Sequence, residues 1–152
     1  MNTIKLKGTY NFEIRDITGK VRDSFEVKNL VVNAGLAQIA LLIGDASATP
    51  FTYIAVGTSA AAVGASQTAL TAEITTNGLE RASATIDRTT TTVTNDTFRA
   101  VKVFTATGTH VVEEVGVFNA ASSGTMLSRA LTSTKTVTSG ETITVTYTLA
   151  FA

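Results

Sequence analysis

The sequence predicts a mainly β protein, an antiparallel β-sandwich or barrel of jelly-roll-like kind with one short α-helix. Three observations lead there. Apolar residues recur at period two along most of the chain, turn-forming residues interrupt them at short and regular intervals, and a single stretch changes to helical spacing. The clearest strand is the closing segment GETITVTYTLAFA. Ile143, Val145, Tyr147, Leu149 and Phe151 face one way, and Thr142, Thr144, Thr146 and Thr148 face the other.

Residues 1–30 read as an N-terminal hairpin. Ile4, Leu6, Tyr10, Phe12 and Ile14 alternate, then RDITGK supplies Asp16 and Gly19 for a turn, and Val21, Phe25 and Val27 return on the second strand. Over 33–44 the period changes. Leu36, Ile39, Ala40 and Ile43 form a small apolar stripe expected to lie against the sheet, with Asn33 as N-cap and Gly44 as the C′ residue. Residues 51–152 supply the remaining strands and loops. Phe51–Val56 opens them, TALTAEI suggests a helical turn, and Asn77-Gly78 suits a tight turn. Beyond these, LERASATIDRT, TFRAVKVFTAT, HVVEEVGVFNA and TMLSRALTS read as strands. At 152 residues, with no linker or internal repeat, the whole of 1–152 reads as one domain.

Composition removes several classes of function. There is no cysteine, hence no disulfide framework and no thiolate metal site. Twelve basic and twelve acidic residues cancel, which leaves no field to attract nucleic acid or an anionic membrane. The N-terminus lacks a continuous apolar leader, and AGLAQIALLIG is too short to span a bilayer, so a soluble chain is expected. Between Val31 and Leu79 the only charged residues are Asp45 and Glu73. That segment is either interior or faces another protein.

The stretch FTYIAVGTSAAAVGASQTAL places a small-residue loop directly after a strand, as phosphate-binding loops do. A phosphate cradle needs GxxxxGK[ST] or GxGxxG, with backbone amides converging on the anion. Here Ala65 stands where lysine is required, Gly57 is followed by Thr58 and Ser59, and no Lys or Arg lies between Val31 and Glu80. The loop instead reads as a candidate protein-contact surface made of Gly57, Thr58, Ser59, Ala60, Ala61, Ala62, Val63, Gly64, Ala65, Ser66 and Gln67. The plain alternative is a solvent loop without a partner. Closure entropy varies slowly with loop length, so exchanging Thr58 to Ser66 for a short Gly-Ser link is expected to spare the fold.

No residue is assigned a catalytic, cofactor-binding or metal-binding role. The sole histidine, His110, reads as an exposed residue at a strand start, and no GxSxG surrounds any serine. Glu113 and Glu114 are neighbours on a strand and point to opposite faces, so they do not share a metal or a glycosidic cleft. One of the two faces solvent and the other is paired. Arg81, Arg88, Arg99 and Arg129 are the candidate ion-pair partners.

A resemblance adds to this reading. The pattern of LVVNAGL, then YIAVGT, then TALTAEI, then EVGVFNAASSGTMLSRAL resembles a family of small virion proteins of tailed bacteriophages. Asn33, Gly35 and Leu36 match its first part, Ile54 to Thr58 its second, Thr68 to Leu70 with Glu73-Ile74 its third, and Glu114 to Ala120 with Gly124 and Leu127 its last. Ser59 and Met126 depart from it mildly. The resemblance implies a non-enzymatic capsid decoration, or cement, protein on the virion surface. Its partners would be itself, as a homotrimer, and the major capsid protein, with no nucleic acid, membrane or small-molecule substrate. A tail-fibre or baseplate component is the alternative within the virion. A small binding module or enzyme unrelated to phage is the alternative outside it.

Overall fold

The computed structural model describes residues 3–152, so Met1 and Asn2 of the expected hairpin lie outside it. Two separate five-stranded antiparallel sheets face each other, which makes a sandwich and not a closed barrel. The strands in chain order are β1 (Leu6–Arg15), β2 (Val21–Lys28), β3 (Leu30–Val31), β4 (Tyr53–Gly57), β5 (Ala82–Ser83), β6 (Thr85–Thr89), β7 (Thr97–Thr105), β8 (His110–Phe118), β9 (Met126–Val137) and β10 (Thr142–Phe151). The helix α1 spans Asn33–Gly44 and joins β3 to β4. Sheet A has the order β2-β1-β10-β7-β6, and sheet B has the order β3-β9-β8-β4-β5.

The period-two expectation for the last strand holds over most of its length. Ile143, Val145, Tyr147 and Leu149 are buried, while the four threonines between them are half-buried on the outer face. Phe151 departs from it, being 38% exposed, because sheet A runs past the edge of sheet B and leaves its last inward-facing residue uncovered. Ile4, also expected on the buried face, is exposed at the same end. On β1, Tyr10, Phe12 and Ile14 are buried opposite Tyr147, Val145 and Ile143.

The two sheets are tied together by hydroxyl groups as well as by apolar burial. The Tyr10 and Tyr147 rings lie 4.6 Å apart between centroids. Tyr10 Oη and Ser128 Oγ on β9 share a hydrogen bond of 2.7 Å, and Asn29 Nδ2 donates to Tyr147 Oη at 2.9 Å. These bonds satisfy polar groups whose burial would otherwise be costly. Burial pushes both phenols above their ordinary range, and at Tyr10 the neighbouring Tyr147 adds to the rise while the Ser128 bond opposes it. The unfolded chain therefore ionises first, at about pH 10, so this contribution is complete below that pH and is lost as pH rises toward the folded values. Denaturation midpoints are expected to fall above about pH 10, with a shallower fall in Tyr10→Phe.

Several local expectations are corrected. The helix buries Gly35 and packs Ile39 and Leu42 against the core, whereas Leu36, Ala40 and Ile43 of the expected stripe are exposed. The cause is the approach of Gly35 to β9, where a Cβ would stand 2.3 Å from the Leu127 carbonyl oxygen. Packing that close fixes the helix rotation and turns Ile43 outward. Asn33 is the first helical residue and not the cap; Val32 is the N-cap, and the Asn33 N–H donates to the Ala65 carbonyl at 2.8 Å. Gly44 is the last helical residue, followed by an extended Asp45.

TALTAEI forms no helical turn, because the N–H groups of Thr71 and Ala72 donate to the Glu114 carboxylate and Ile74 N–H donates to Val56. The segment LERASATIDRT is two strands rather than one. It crosses from sheet B to sheet A at Ala84, whose N–H donates to Thr52. Asn77-Gly78 does turn tightly, with φ of 59° and 87°.

Candidate interaction site: an anchored loop over sheet B

Sheet B is covered on both faces. Its inner face meets sheet A, and its outer face carries a second, smaller apolar cluster of Val32, Ala55, Leu70, Phe118 and Met126. Over this outer face lies the chain from Gly57 to Glu73, which includes the candidate contact loop. The register of β4, β8 and β9 explains what the loop meets. Gly57 lies opposite Glu114 and Gly116 opposite Arg129, so Glu114 and Arg129 share one face, beneath the loop.

Glu114 and Arg129 side chains are both fully buried and form an ion pair. Arg129 Nε donates to Glu114 Oε2 at 2.8 Å. Nη2 stands 2.7 Å from the same oxygen without forming a hydrogen bond, so its N–H groups are not directed at it and that approach is Coulombic only. Glu114 also accepts the N–H groups of Thr71 at 3.0 Å and Ala72 at 2.7 Å. Arg129 Nη1 donates to the Ala61 carbonyl at 2.9 Å and Gln67 Oε1 at 3.2 Å, with a longer approach to the Ala62 carbonyl. One buried pair thus holds the middle of the loop at Ala61 and Ala62, its end at Gln67 and the following Thr71-Ala72. Each ion is hydrogen-bonded beyond its partner, as a charge removed from water requires.

Gln67 closes the loop on itself. Its Oε1 accepts the Gly64 N–H at 2.9 Å, and its Nε2 donates to the Ala62 carbonyl at 3.1 Å. Gln67 N–H donates to the Gly64 carbonyl, Ser59 Oγ accepts the Ala61 N–H, and Thr58 N–H donates to Ala72. Gly57 is buried, Ser59, Val63, Gly64 and Gln67 are half-buried, and Thr58, Ala60, Ala61, Ala62, Ala65 and Ser66 are exposed. The exposed members form a small, uncharged surface held in a fixed shape. Exchanging Thr58 to Ser66 would remove the Ala61 and Ala62 carbonyls from Arg129 as well as shorten the loop.

Gly57 and Gly64 have different roles. A Cβ on Gly57 would lie 2.4 Å from Glu114 Oε1 and 2.6 Å from the Ala72 carbonyl, whereas a Cβ on Gly64 meets nothing closer than 4.0 Å. Gly57→Ala is therefore expected to displace the Glu114 carboxylate and cost about 2 kcal/mol or more in chemical denaturation. The same change at Gly64 is expected to cost well under about 1 kcal/mol.

A second arginine reinforces this end of the molecule. Arg81 makes a bidentate pair with Glu73 at 2.8 and 2.6 Å, donates to the carbonyls of Ala120 and Ser123, and stacks 3.6 Å from the centroid of Phe118. Arg99 pairs with Asp87 on the outer face of sheet A. Of the two neighbouring glutamates, Glu114 is the buried, paired one, and the half-buried Glu113 accepts from Thr134 Oγ1. Glu113 sits in a bulge, where it alone faces three β9 residues, Thr132, Ser133 and Thr134.

His110 opens β8 opposite Val137, far along the strand from Glu114. It is half-buried rather than exposed, and its Nε2 is enclosed without a hydrogen-bond partner. Among the described residues no three of His, Asp and Glu gather as metal ligands. The chemistry available around Glu114 and Arg129 is anchorage, since both charges are spent on each other and on backbone groups. The comparisons with protein families, with curated proteins and with solved structures each return no match to this chain.

Proposed function

We propose that the chain is a non-enzymatic structural protein of a tailed-bacteriophage virion, seated on the capsid exterior as a decoration protein that works as a homotrimer on the major capsid protein. The observation that carries the reading is the use made of the motif residues. Gly35 packs on Leu127, Gly57 on Glu114 and Leu70 on Gly116, while Glu73 bridges to Gly57. The residues behind the resemblance thus contact one another and build a rigid, small-residue surface rather than a reactive centre. The row Thr142, Thr144, Thr146 and Thr148 adds a polar strip on the outward face of sheet A, flanked by Glu13, Arg15 and Arg99. Such surfaces approach a partner closely without stranding charge, and a closed oligomer repeats them by symmetry.

Electron microscopy of intact particles whose genome encodes the chain, labelled with antibody to the purified protein, tests the reading. Label on the head, with a trimer mass by light scattering, is the expected result. Label on the tail transfers the protein to the fibre or baseplate. Unlabelled particles overturn virion membership.

A further inference from the structure

Where sheet A overhangs sheet B, α1 covers the gap incompletely and leaves a cleft of about 830 Å³. Ile39, Leu42 and Ile43 of the helix form one wall, and Ile86, Phe98 and Phe151 of sheet A form the other. Ile43 is 85% exposed, and Ile86 and Phe151 are each 38% exposed, so the apolar groups gather at the mouth as well as the floor.

Two further features lie beside the cleft. β6 is an edge strand, paired with β7 on one side only, and its residues Ile86, Asp87 and Arg88 line the cleft. Arg88 lies opposite Phe98 in that register and lines the same cleft. The chain has six arginines, and Arg15, Arg22, Arg81, Arg99 and Arg129 each hold a carboxylate. Among the described arginines Arg88 alone has no acidic partner, since Asp87, which also lines the cleft, is paired with Arg99.

We propose that this cleft receives an extended segment of a partner polypeptide, added to sheet A as a strand along β6, with alternate apolar side chains in the cleft and a carboxylate on Arg88. Each element of the occupant answers a feature of the site. The unpaired edge of β6 offers main-chain hydrogen bonds to a strand. The cleft takes the inward side chains of that strand at period two. The lone guanidinium selects an acidic residue or a terminal carboxylate. The volume alone would suit a small amphiphile equally well. The free edge alongside it favours a peptide, because a lipid or fatty acid leaves those backbone groups unpaired. The proposal holds for a partner inside or outside a virion and is independent of the function proposed above.

An array of random-sequence heptapeptides, probed with the purified protein, tests it. The expected winners alternate apolar and polar residues and carry a carboxylate. Arg88→Glu, an exposed substitution that leaves the core untouched, is expected to weaken them by roughly tenfold and to shift selection toward Lys and Arg. Hydrogen exchange with a winning peptide is expected to slow at those backbone amides of Thr85–Thr89 that face away from β7. Winners indifferent to Arg88, unchanged exchange along β6, or an array without winners each overturn the proposal. Displacement of the peptide by sodium decanoate, with β6 exchange unchanged throughout, assigns the cleft to a small amphiphile instead.

Discussion

Arg129→Met is expected to destabilise the protein by roughly 3–5 kcal/mol in chemical denaturation, the range for breaking a buried ion pair from one side. The substitution leaves the fully buried Glu114 carboxylate without its counter-ion, and the Ala61 carbonyl loses the donor that holds the loop. Glu114→Gln alone is expected to be severe as well, since it strands the guanidinium. The double variant, Glu114→Gln with Arg129→Met, is expected to recover part of the loss because no lone charge remains. Loop anchorage should not recover with it. Limited proteolysis between Ala60 and Ser66 is expected to be faster in Arg129→Met and in the double variant alike. Recovery of both stability and protease resistance would show that the loop is held by its own turns and not by the pair.

The second large effect lies in the sandwich core. Tyr147→Ala is expected to cost about 3 kcal/mol or more, since it removes a fully buried ring packed against Tyr10 and leaves Asn29 Nδ2 without its acceptor. Phe151→Ala, four residues along the same face, is expected to cost under about 1 kcal/mol, as is Thr146→Ala on the opposite face. Unfolding monitored by fluorescence and by circular dichroism supplies all three values. Equal losses at 147 and 151 would mean that sheet B or a partner covers the end of β10 in solution.

Strand content was legible in the sequence because period two survives wherever one face of a strand is buried. It failed at three kinds of place. Phe151 and Ile4 follow the alternation but stand past the edge of sheet B, and no sequence period records where the opposing sheet stops. The helix stripe was displaced by one contact, the approach of Gly35 to Leu127, and the glycine itself was the available signal for it. TALTAEI was read from local propensity, whereas a carboxylate distant in sequence takes its N–H groups.

Residues 58–67 lie outside the strands, whereas Gly57 is the last residue of β4. Alternation leaves open which of Glu113 and Glu114 is paired, and the structure assigns the pairing to Glu114 on the outer face of sheet B. The outer face of sheet B is itself covered, so outward there means buried. Arg129 is one of four candidate partners in the sequence, and no local pattern singles it out as the partner of Glu114.

The place of β10 in sheet A has a consequence for how the chain comes together during synthesis. β10 lies between β1 and β7, so the first and last strands of the fold are hydrogen-bonded neighbours along their whole lengths. Until β10 emerges, β1 and β2 can form only an isolated hairpin, with Tyr10 and Phe12 open to water. Sheet B has no such requirement, since β3, β4, β5, β8 and β9 all precede β10. Sheet A therefore cannot close around its central strand until β10 has been made. Non-local closure of that kind is slow, on the order of milliseconds to seconds for all-β domains. During that interval the unpaired flanks of β1 and β7 are the part of the molecule most open to strand exchange with another nascent copy.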